Sequence, residues 1–254
     1  MKNFFARLFI LGCLLLYTAS AIEAAEKKDT TRVLFVGNSY VYYNNLIQMI
    51  GLITDSMHQK IICRKSVIGG ATLGEHWNGL RGLKSKEAIT EGKYQIVVIQ
   101  DNSMWPIQHK DSLLLYGQAF AKLIKQSGSS TYLYNTWSRK NTPETQDIIN
   151  AAYEELATKT GAIRVPIGAC WAKARAEKPD MELFHTDGSH PSALGTFMIA
   201  LGFVKSITGT LPKNYAKVYN YWDKDGESFR IMQLTDAEIS FCTQIVNAVI
   251  PDRK

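Results

Sequence analysis

A serine and a D-x-x-H pair are the residues of this sequence whose types suit nucleophilic catalysis. Ser39 follows Gly37 and Asn38 directly after a short apolar run, and Asp187 and His190 lie in the distant segment DGSHPS. A serine nucleophile needs a base that takes its proton and a carboxylate that fixes the tautomer of that base. Asp187 and His190, three residues apart in a glycine-containing turn, could supply both. They are therefore candidate catalytic residues together with Ser39.

Other interpretations of the same residues stay open. A serine between a strand and a helix commonly caps the helix, and the α/β-hydrolase pattern G-x-S-x-G is absent. Asp187 could cap a turn, and His190 could cap the helix that follows. His185, Asp187 and His190 are also common zinc or iron ligands, although no further cluster of such residues completes a metal site in the sequence.

An acyl-transfer site also needs hydrogen-bond donors for the negative charge that develops on the substrate oxygen. Ser39 could offer its backbone N–H, because the start of a helix leaves such groups unpaired. Two further turns follow predicted strands: Gly69-Gly70 could offer a backbone N–H, and Gln100-Asp101-Asn102 a side-chain amide. Such residues are common in turns, so it is their placement after successive strands that makes them candidates.

Alternating strands and helices must position these residues. Apolar, β-branched runs predict strands at 31–36, 60–67, 95–99, 130–135 and 162–166. Helical patterns occupy 44–57, 112–126, 145–160, 191–207 and 236–250; Pro191 falls in a first turn, and Thr235 with Glu238 fits a capping box. This order predicts a mostly parallel five-stranded sheet with helices on both faces, and ligands at the carboxyl ends of its strands. The aromatic segment 213–233 has no assignment.

The blocks that follow the predicted strands resemble those of the SGNH (GDSL-like) hydrolase family. The matching segments are Gly37-Asn38-Ser39-Tyr40, Gly69-Gly70, Gln100-Asp101-Asn102 and Asp187-Gly188-Ser189-His190-Pro191-Ser192. The first block is similar to a bacterial branch that carries GNSY or GNSF instead of GDSL. The segment VPIG at 165–168 followed by Trp171, and Gly195-Thr196 after HPS, are also similar to that branch. The resemblance covers roughly residues 32–212.

This resemblance implies a flavodoxin-like three-layer α/β/α sandwich, no cofactor or metal, and an acyl-serine mechanism on esters. Ser39 would attack, His190 would act as base and then as acid, and Asp187 would orient His190. The backbone N–H groups of Ser39 and Gly70 would bind the oxyanion. The third block departs from the family pattern G-x-N-D, and Gln100 is the expected side-chain donor, with Asn102 as the alternative.

The N-terminus predicts export. Lys2 and Arg7 precede an apolar run at 8–17, and Ala19-Ser20-Ala21 fits a signal-peptidase site. We therefore expect a signal peptide at 1–21 and a single domain at 22–254, with a C-terminal helical extension from about residue 213. A transmembrane anchor is the alternative, but the run is short for a bilayer core of about 30 Å. The expected location is the periplasm or the extracellular space, with no stable membrane insertion after cleavage.

The charge and the cysteine content of the sequence indicate which partners and which cysteine chemistry to expect. The net charge of +6 falls to +4 without Lys2 and Arg7, and the basic residues are scattered, which disfavours nucleic acid as a partner. Cys63, Cys170 and Cys242 remain, an odd number without a C-x-x-C pair, which favours buried free thiols over a disulfide or zinc.

The sequence thus predicts a carboxylic-ester hydrolase, with deacetylation of O-acetylated glycans as the more specific expectation. Its partner would be a small-molecule or glycan ester. Four tryptophans near strand ends could stack on sugar rings, although packing explains them equally well: Trp77, Trp105, Trp137 and Trp171. The alternatives are a catalytically silent glycan-binding envelope protein, a lipase or thioesterase of the same fold, and a metal-dependent hydrolase.

Overall fold

Five parallel strands form the central sheet of the computed structural model, which describes residues 30–252. The predicted signal peptide lies outside the described residues. The strands are β1 (Thr30–Gly37), β2 (Lys60–Val67), β3 (Ile96–Ile99), β4 (Ser130–Tyr134) and β5 (Ile163–Val165). They lie in the order β2-β1-β3-β4-β5, so the chain crosses over β1 once between β2 and β3. All five predicted strands are confirmed, and the sheet is parallel throughout.

Each strand is apolar on both faces because helices cover the sheet from both sides. Alternate side chains of a strand point to opposite faces. Val33 and Phe35 of β1 accordingly belong to one buried cluster, and Leu34 and Val36 belong to another. The two clusters on either side of the sheet confirm the three-layer α/β/α architecture.

Ten α-helices surround the sheet in the described part of the chain. They are α1 (Ser39–Tyr42), α2 (Leu46–Thr54), α3 (Leu73–Asn78), α4 (Ser85–Glu91), α5 (Trp105–Gln108), α6 (Lys110–Gln126), α7 (Gln146–Thr160), α8 (Ile167–Glu177), α9 (Ala193–Thr208) and α10 (Asp236–Val249). Helices α1, α2, α8, α9 and α10 contribute to the cluster around Phe35, and α3 to α7 contribute to the cluster around Leu34.

Two of the predicted helices, those at 44–57 and 191–207, begin two residues later in the structure. Helix α2 begins at Leu46 and not at 44, because Asn44 and Asn45 both adopt left-handed backbone conformations, with φ of 46° and 57°. Helix α9 begins at Ala193, because Ser192 is its N-cap and accepts a hydrogen bond from Gly195 N at 3.0 Å. Pro191 therefore precedes the cap and does not lie in the first turn.

The C-terminal extension is not helical throughout, which corrects the prediction for the region after residue 213. An antiparallel hairpin of β6 (Val218–Trp222) and β7 (Ser228–Gln233) comes first, and α10 follows. The hairpin turn contains Asp225-Gly226, with Gly226 at φ 84°. The capping box of Thr235 and Glu238 is confirmed, and α10 packs against α8 and α9. No helix within residues 30–252 has both the length and the apolar character to span a bilayer.

Candidate active site

Ser39 is the first residue of α1, two residues beyond the carboxyl end of β1. Asn38 caps this helix, because its side-chain oxygen accepts a hydrogen bond from Tyr40 N at 3.2 Å. The Asn38 amide also donates to Ala71 O at 3.0 Å and to Asp101 O at 3.3 Å. One buried asparagine thus joins the turns that follow β1, β2 and β3, and it holds Ser39 at the edge of the sheet where ligands bind.

The structure brings the three predicted catalytic residues together. His190 Nε2 lies 2.7 Å from Ser39 Oγ, and His190 Nδ1 lies 2.6 Å from Asp187 Oδ2. An ionised carboxylate accepts hydrogen bonds and donates none, so Nδ1 carries the ring hydrogen. Nε2 then accepts the hydroxyl hydrogen of Ser39. This is the arrangement of a nucleophile, its base and the group that orients the base.

Asp187 is held in its ionised form. Its Oδ1 accepts the backbone N–H groups of Ser189 and His190, both at 2.9 Å, while Oδ2 accepts from the His190 ring. Partial burial opposes ionisation, but the hydrogen bonds from the ring and from the two backbone groups outweigh it and hold the Asp187 pKa well below its usual range. The carboxylate can therefore stabilise a positive charge on His190.

Backbone hydrogen bonds fix the loop that carries this pair. Gly188 O accepts from Lys140 N at 2.8 Å, and Ser189 O accepts from Trp137 Nε1 at 3.0 Å. Both donors belong to the segment after β4, so the loop is tied to the sheet. His185 is exposed, and its Nδ1 is 3.7 Å from Asp187 Oδ2, which places it beside the triad without taking part in it.

Aromatic and amide side chains join this loop to the Ser39 turn. The Tyr43 ring stacks on the His190 ring at a centroid distance of 4.3 Å and an angle of 18°. Asn44 donates from its amide to Pro191 O at 2.9 Å, and its left-handed backbone directs it toward that carbonyl. Tyr40 OH lies 2.8 Å from Ser189 Oγ. The sequence indicated Tyr40 only as part of the Gly37-Asn38-Ser39-Tyr40 block, and it did not single out Tyr43, which directly follows α1.

The candidate oxyanion donors surround Ser39 as follows. Gly70 is at φ +70°, and a Cβ atom there would meet no atom within 4 Å, so the backbone conformation is what requires glycine. The Asn102 amide donates to Gly70 O at 3.0 Å. The cleft is lined by Asn38, Ser39, Tyr40, Gly70, Asn102, Ser103, Arg139, Ser189 and His190.

The expectation that Gln100 is the side-chain donor requires a correction. Gln100 is fully buried, its Oε1 accepts from Asn38 N at 3.1 Å, and its Nε2 bonds to Asp101 O. Gln100 therefore supports the Ser39 turn from below and does not face the cleft. Asn102, the alternative, is the amide side chain of this block that lines the cleft.

His76 is a second buried support of the Ser39 turn. Its Nε2 lies 2.8 Å from Gly37 O, and its Nδ1 lies 2.6 Å from Ser85 Oγ. A carbonyl only accepts, so Nε2 carries the hydrogen, and Nδ1 accepts from Ser85. Burial lowers the His76 pKa, which favours this neutral form. The capping box that starts α3 at Thr72 was a signal for the helix that carries His76.

Asp101 is a buried carboxyl group directly behind Asn102. Its Oδ1 accepts the backbone N–H groups of Leu73 at 2.9 Å and Asn102 at 2.8 Å, and its Oδ2 has no partner in the structure. Burial raises the Asp101 pKa to about 6. Asp101 thus positions the backbone of Asn102 without facing the cleft.

The tryptophans mostly serve packing. Trp137 and Trp171 are buried and stack on each other at 4.1 Å, which corrects the expectation that they could contact a sugar. Trp77 packs edge-on against Phe120, and Trp105 lies half-buried beside His109. The three cysteines among the described residues are buried free thiols. Within residues 30–252, no group of three or more His, Cys, Asp or Glu side chains is arranged to hold a metal ion.

Solved structures resemble this chain across its sheet and helices. A DUF4886 family protein from Bacteroides uniformis shares 16% identity over 87% of this chain and 95% of its own, with a TM-score of 0.68. A protein from Slackia heliotrinireducens described as an SGNH hydrolase shares 23% identity over 70% of this chain and 100% of its own, with a TM-score of 0.61. The chain has the SGNH hydrolase fold.

Further structures agree with this fold at lower similarity. An acetyl xylan esterase, AlAXEase, shares 14% identity over 69% of this chain and 99% of its own, with a TM-score of 0.54. No protein-family model matches the chain, and no curated protein matches it. The match to the Bacteroides protein covers 87% of this chain, whereas the matches to the Slackia protein and to the acetyl xylan esterase cover about 70%.

Proposed function

We propose that this protein is a serine ester hydrolase, with Ser39 as nucleophile, His190 as general base and acid, and Asp187 as the residue that orients His190. The observation that carries the proposal is the continuous hydrogen-bond chain of 2.7 Å and 2.6 Å from Ser39 Oγ through the His190 ring to Asp187. The SGNH fold supports it, because its solved neighbours include enzymes that hydrolyse esters.

The geometry supports a two-step reaction. His190 Nε2 takes the hydroxyl proton as Ser39 Oγ attacks the ester carbonyl, and the resulting imidazolium is stabilised by Asp187. The tetrahedral intermediate collapses when its alcohol leaves with the proton from His190, which leaves an acyl group on Ser39. Water, deprotonated by His190, then attacks the acyl-serine and releases the acid.

In this mechanism three donors from the cleft lining would bind the developing oxyanion: the backbone N–H groups of Ser39 and Gly70, and the amide of Asn102. One amide hydrogen of Asn102 bonds to Gly70 O. An amide carries two hydrogens, so the second can point at the substrate while the first holds the side chain in place. No cofactor or metal ion is required by these steps.

We further propose that the acyl group is short and that the substrate is an O-acetylated glycan or a similar small ester. The cleft residues that the structure describes include no aliphatic side chain, and a long fatty acyl chain would need apolar surface. An acetyl xylan esterase among the structural neighbours is consistent with this proposal. Because the sequence predicts a signal peptide, we also propose that the enzyme is exported and acts on acetylated polysaccharides outside the cytoplasm.

Hydrolysis of p-nitrophenyl acetate by residues 22–254 tests the nucleophile. We expect Ser39→Ala to lower the turnover number on the order of 1,000-fold or more. Ser127→Ala is the matched control. Ser127 is the C-cap of α6 just before β4 begins, so it lies near the amino ends of the strands, and the variant should retain full activity. Equal activity of Ser39→Ala and the wild type would refute the proposal. Profiling acetate release over acetylated xylan and pectin then tests the substrate class.

A further inference from the structure

Arg139 is a charged side chain at the cleft that the proposed mechanism does not use. It lines the cleft together with Ser39 and His190. The ionised Asp187 carboxylate does not line the cleft, because it is bound to His190 and to the backbone of its own loop. The other described lining residues are uncharged apart from His190 when it is protonated. Arg139 therefore provides a permanent positive charge beside the reacting atoms.

The guanidinium of Arg139 has no hydrogen-bond or ion-pair partner within the described residues, although its positive charge acts on the nearby Tyr40 hydroxyl. Six other arginines in this part of the chain bond through their guanidinium groups to carbonyl, amide or carboxylate oxygens: Arg32, Arg64, Arg81, Arg164, Arg175 and Arg230. The Arg139 guanidinium forms no hydrogen bond, ion pair or ring contact with a described residue. It is thus available to a ligand that enters the cleft.

Hydrogen bonds fix the backbone on both sides of Arg139. On one side, buried Ser138 donates its N–H to Gln146 Oε1 at 2.8 Å. On the other side, Lys140 donates its N–H to Gly188 O at 2.8 Å, and Gly188 belongs to the loop that carries His190. The exposed side chain of Arg139 therefore extends into the cleft from a backbone that is fixed relative to the loop of the base.

We infer that Arg139 binds a carboxylate of the substrate. The preferred substrate is then an acidic ester in which this carboxylate lies beside the acylated oxygen. This inference rests on the proposed ester hydrolase and names its substrate class, of which an O-acetylated uronic acid residue is the glycan example. The planar guanidinium offers two parallel N–H donors, which match the two oxygens of a carboxylate.

Two pairs of substrates that differ in one group test the inference. Acetate release is measured from O-acetylated methyl galactoside and methyl galacturonoside, and from the corresponding glucoside and glucuronoside. We expect the wild type to have a higher kcat/KM for the uronide of at least one pair by about 10-fold or more. Arg139→Gln should remove this preference by slowing the uronide, and it should leave the neutral sugar and p-nitrophenyl acetate within about threefold of the wild type.

Lys140→Gln is the matched control. It also removes one positive charge, at the residue next to Arg139, but the Lys140 side chain pairs with Glu182. It should retain the preference. Arg139→Lys should retain part of it, since it keeps the charge and loses the paired donors. The preference should also shrink as sodium chloride rises from 0.02 to 0.5 M.

Three results would overturn the inference. The wild type could hydrolyse both members of each pair equally, which would show that the cleft does not recognise the carboxylate. Arg139→Gln could slow neutral and acidic esters by the same factor, which would assign Arg139 to the chemical step. Lys140→Gln could remove the preference as completely as Arg139→Gln does. Failure of the proposed function gives a different result, namely no hydrolysis of any ester, including p-nitrophenyl acetate, by the wild type.

Discussion

The turn that carries Ser39 and the loop that carries Asp187 and His190 meet at one cleft, yet different interactions hold them. The Ser39 turn rests on buried polar side chains, namely those of Asn38, His76 and Gln100. The loop at 185–190 is more exposed and depends on its own short hydrogen bonds and on the stacked ring of Tyr43. Changes in the first region should therefore alter stability, and changes in the second should alter the rate.

The two carboxyl groups of the site show this difference most directly. Asp101 is buried behind the Ser39 turn, and burial raises its pKa to about 6. Asp187 is 41% exposed at the level of its side chain, and the hydrogen bonds from the His190 ring and two backbone groups outweigh the effect of burial and lower its pKa. Ionisation of Asp101 thus opposes folding, whereas ionisation of Asp187 assists both folding and catalysis.

The largest effect is expected for Asp187→Asn. The asparagine oxygen can still accept the backbone N–H groups of the loop, but its amide would face His190 Nδ1 and favour the wrong ring tautomer. We expect the turnover number on p-nitrophenyl acetate to fall on the order of 10,000-fold, with a midpoint of thermal unfolding at pH 7 within about 3 °C of the wild type. An unchanged rate would contradict the assigned role of Asp187.

Asn102 and Gln100 provide the next test, because they are two amides of one turn with different surroundings. Asn102→Ala should lower the turnover number about 100- to 1,000-fold through loss of an oxyanion donor, and should change stability little. Gln100→Ala leaves the buried Asn38 N–H without a partner and should lower the free energy of unfolding by about 2–4 kcal/mol. Kinetics and urea unfolding of both variants separate these effects. The reverse pattern would restore Gln100 as the donor.

The third comparison is the pH dependence of stability from Asp101, which develops gradually over about two pH units. Its pKa rises from an ordinary value of 3.8 in the unfolded chain to about 6 in the folded protein, so the folded state binds the proton more tightly. The contribution of protonated Asp101 to the free energy of unfolding is fully present below pH 4. It is lost as the pH rises through 6, by about 3 kcal/mol in total. Asp101→Asn should remove this decline, and the two proteins should differ most in slope between pH 4 and pH 6 in urea unfolding.

The contribution of Asp187 to stability has the opposite pH dependence. Because its folded pKa is lowered, its stabilisation is present above the unfolded value and is lost as the pH falls through the folded value. Solvent screening of this exposed group limits the size of the effect. The pH range between 4 and 6 is therefore where Asp101 dominates, and equal slopes for wild type and Asp101→Asn there would refute the role given to Asp101.

Local patterns in the sequence predicted the features that depend on neighbouring residues. The apolar run of β1, the glycine turn before Ser39 and the D-x-x-H spacing of Asp187 and His190 each lie within a few positions of one another. The five strands follow from such patterns. The triad follows from them together with the resemblance of the blocks after the strands to the SGNH hydrolase family.

Contacts between distant segments were not predictable in the same way. His76 is hydrogen-bonded to Gly37, which is 39 positions away, and no local pattern connects the two. Gln100 and Asn102 differ in how the turn after β3 orients their amides. That orientation depends on how β3 pairs with its neighbouring strands. The hairpin of β6 and β7 was missed for another reason: its Asp225-Gly226 turn signal was present, but the surrounding strands are largely exposed and lack an apolar alternation.

Labelling with a fluorophosphonate probe, followed by peptide mapping, tests the central claim most directly. The probe reacts with a serine that an adjacent base activates, independently of which ester the enzyme prefers. We predict one adduct, on the peptide that contains Ser39, with no adduct on Ser39→Ala and much slower labelling of His190→Ala. An adduct on another residue, equal labelling of Ser39→Ala, or no reaction of the folded wild type would contradict the account.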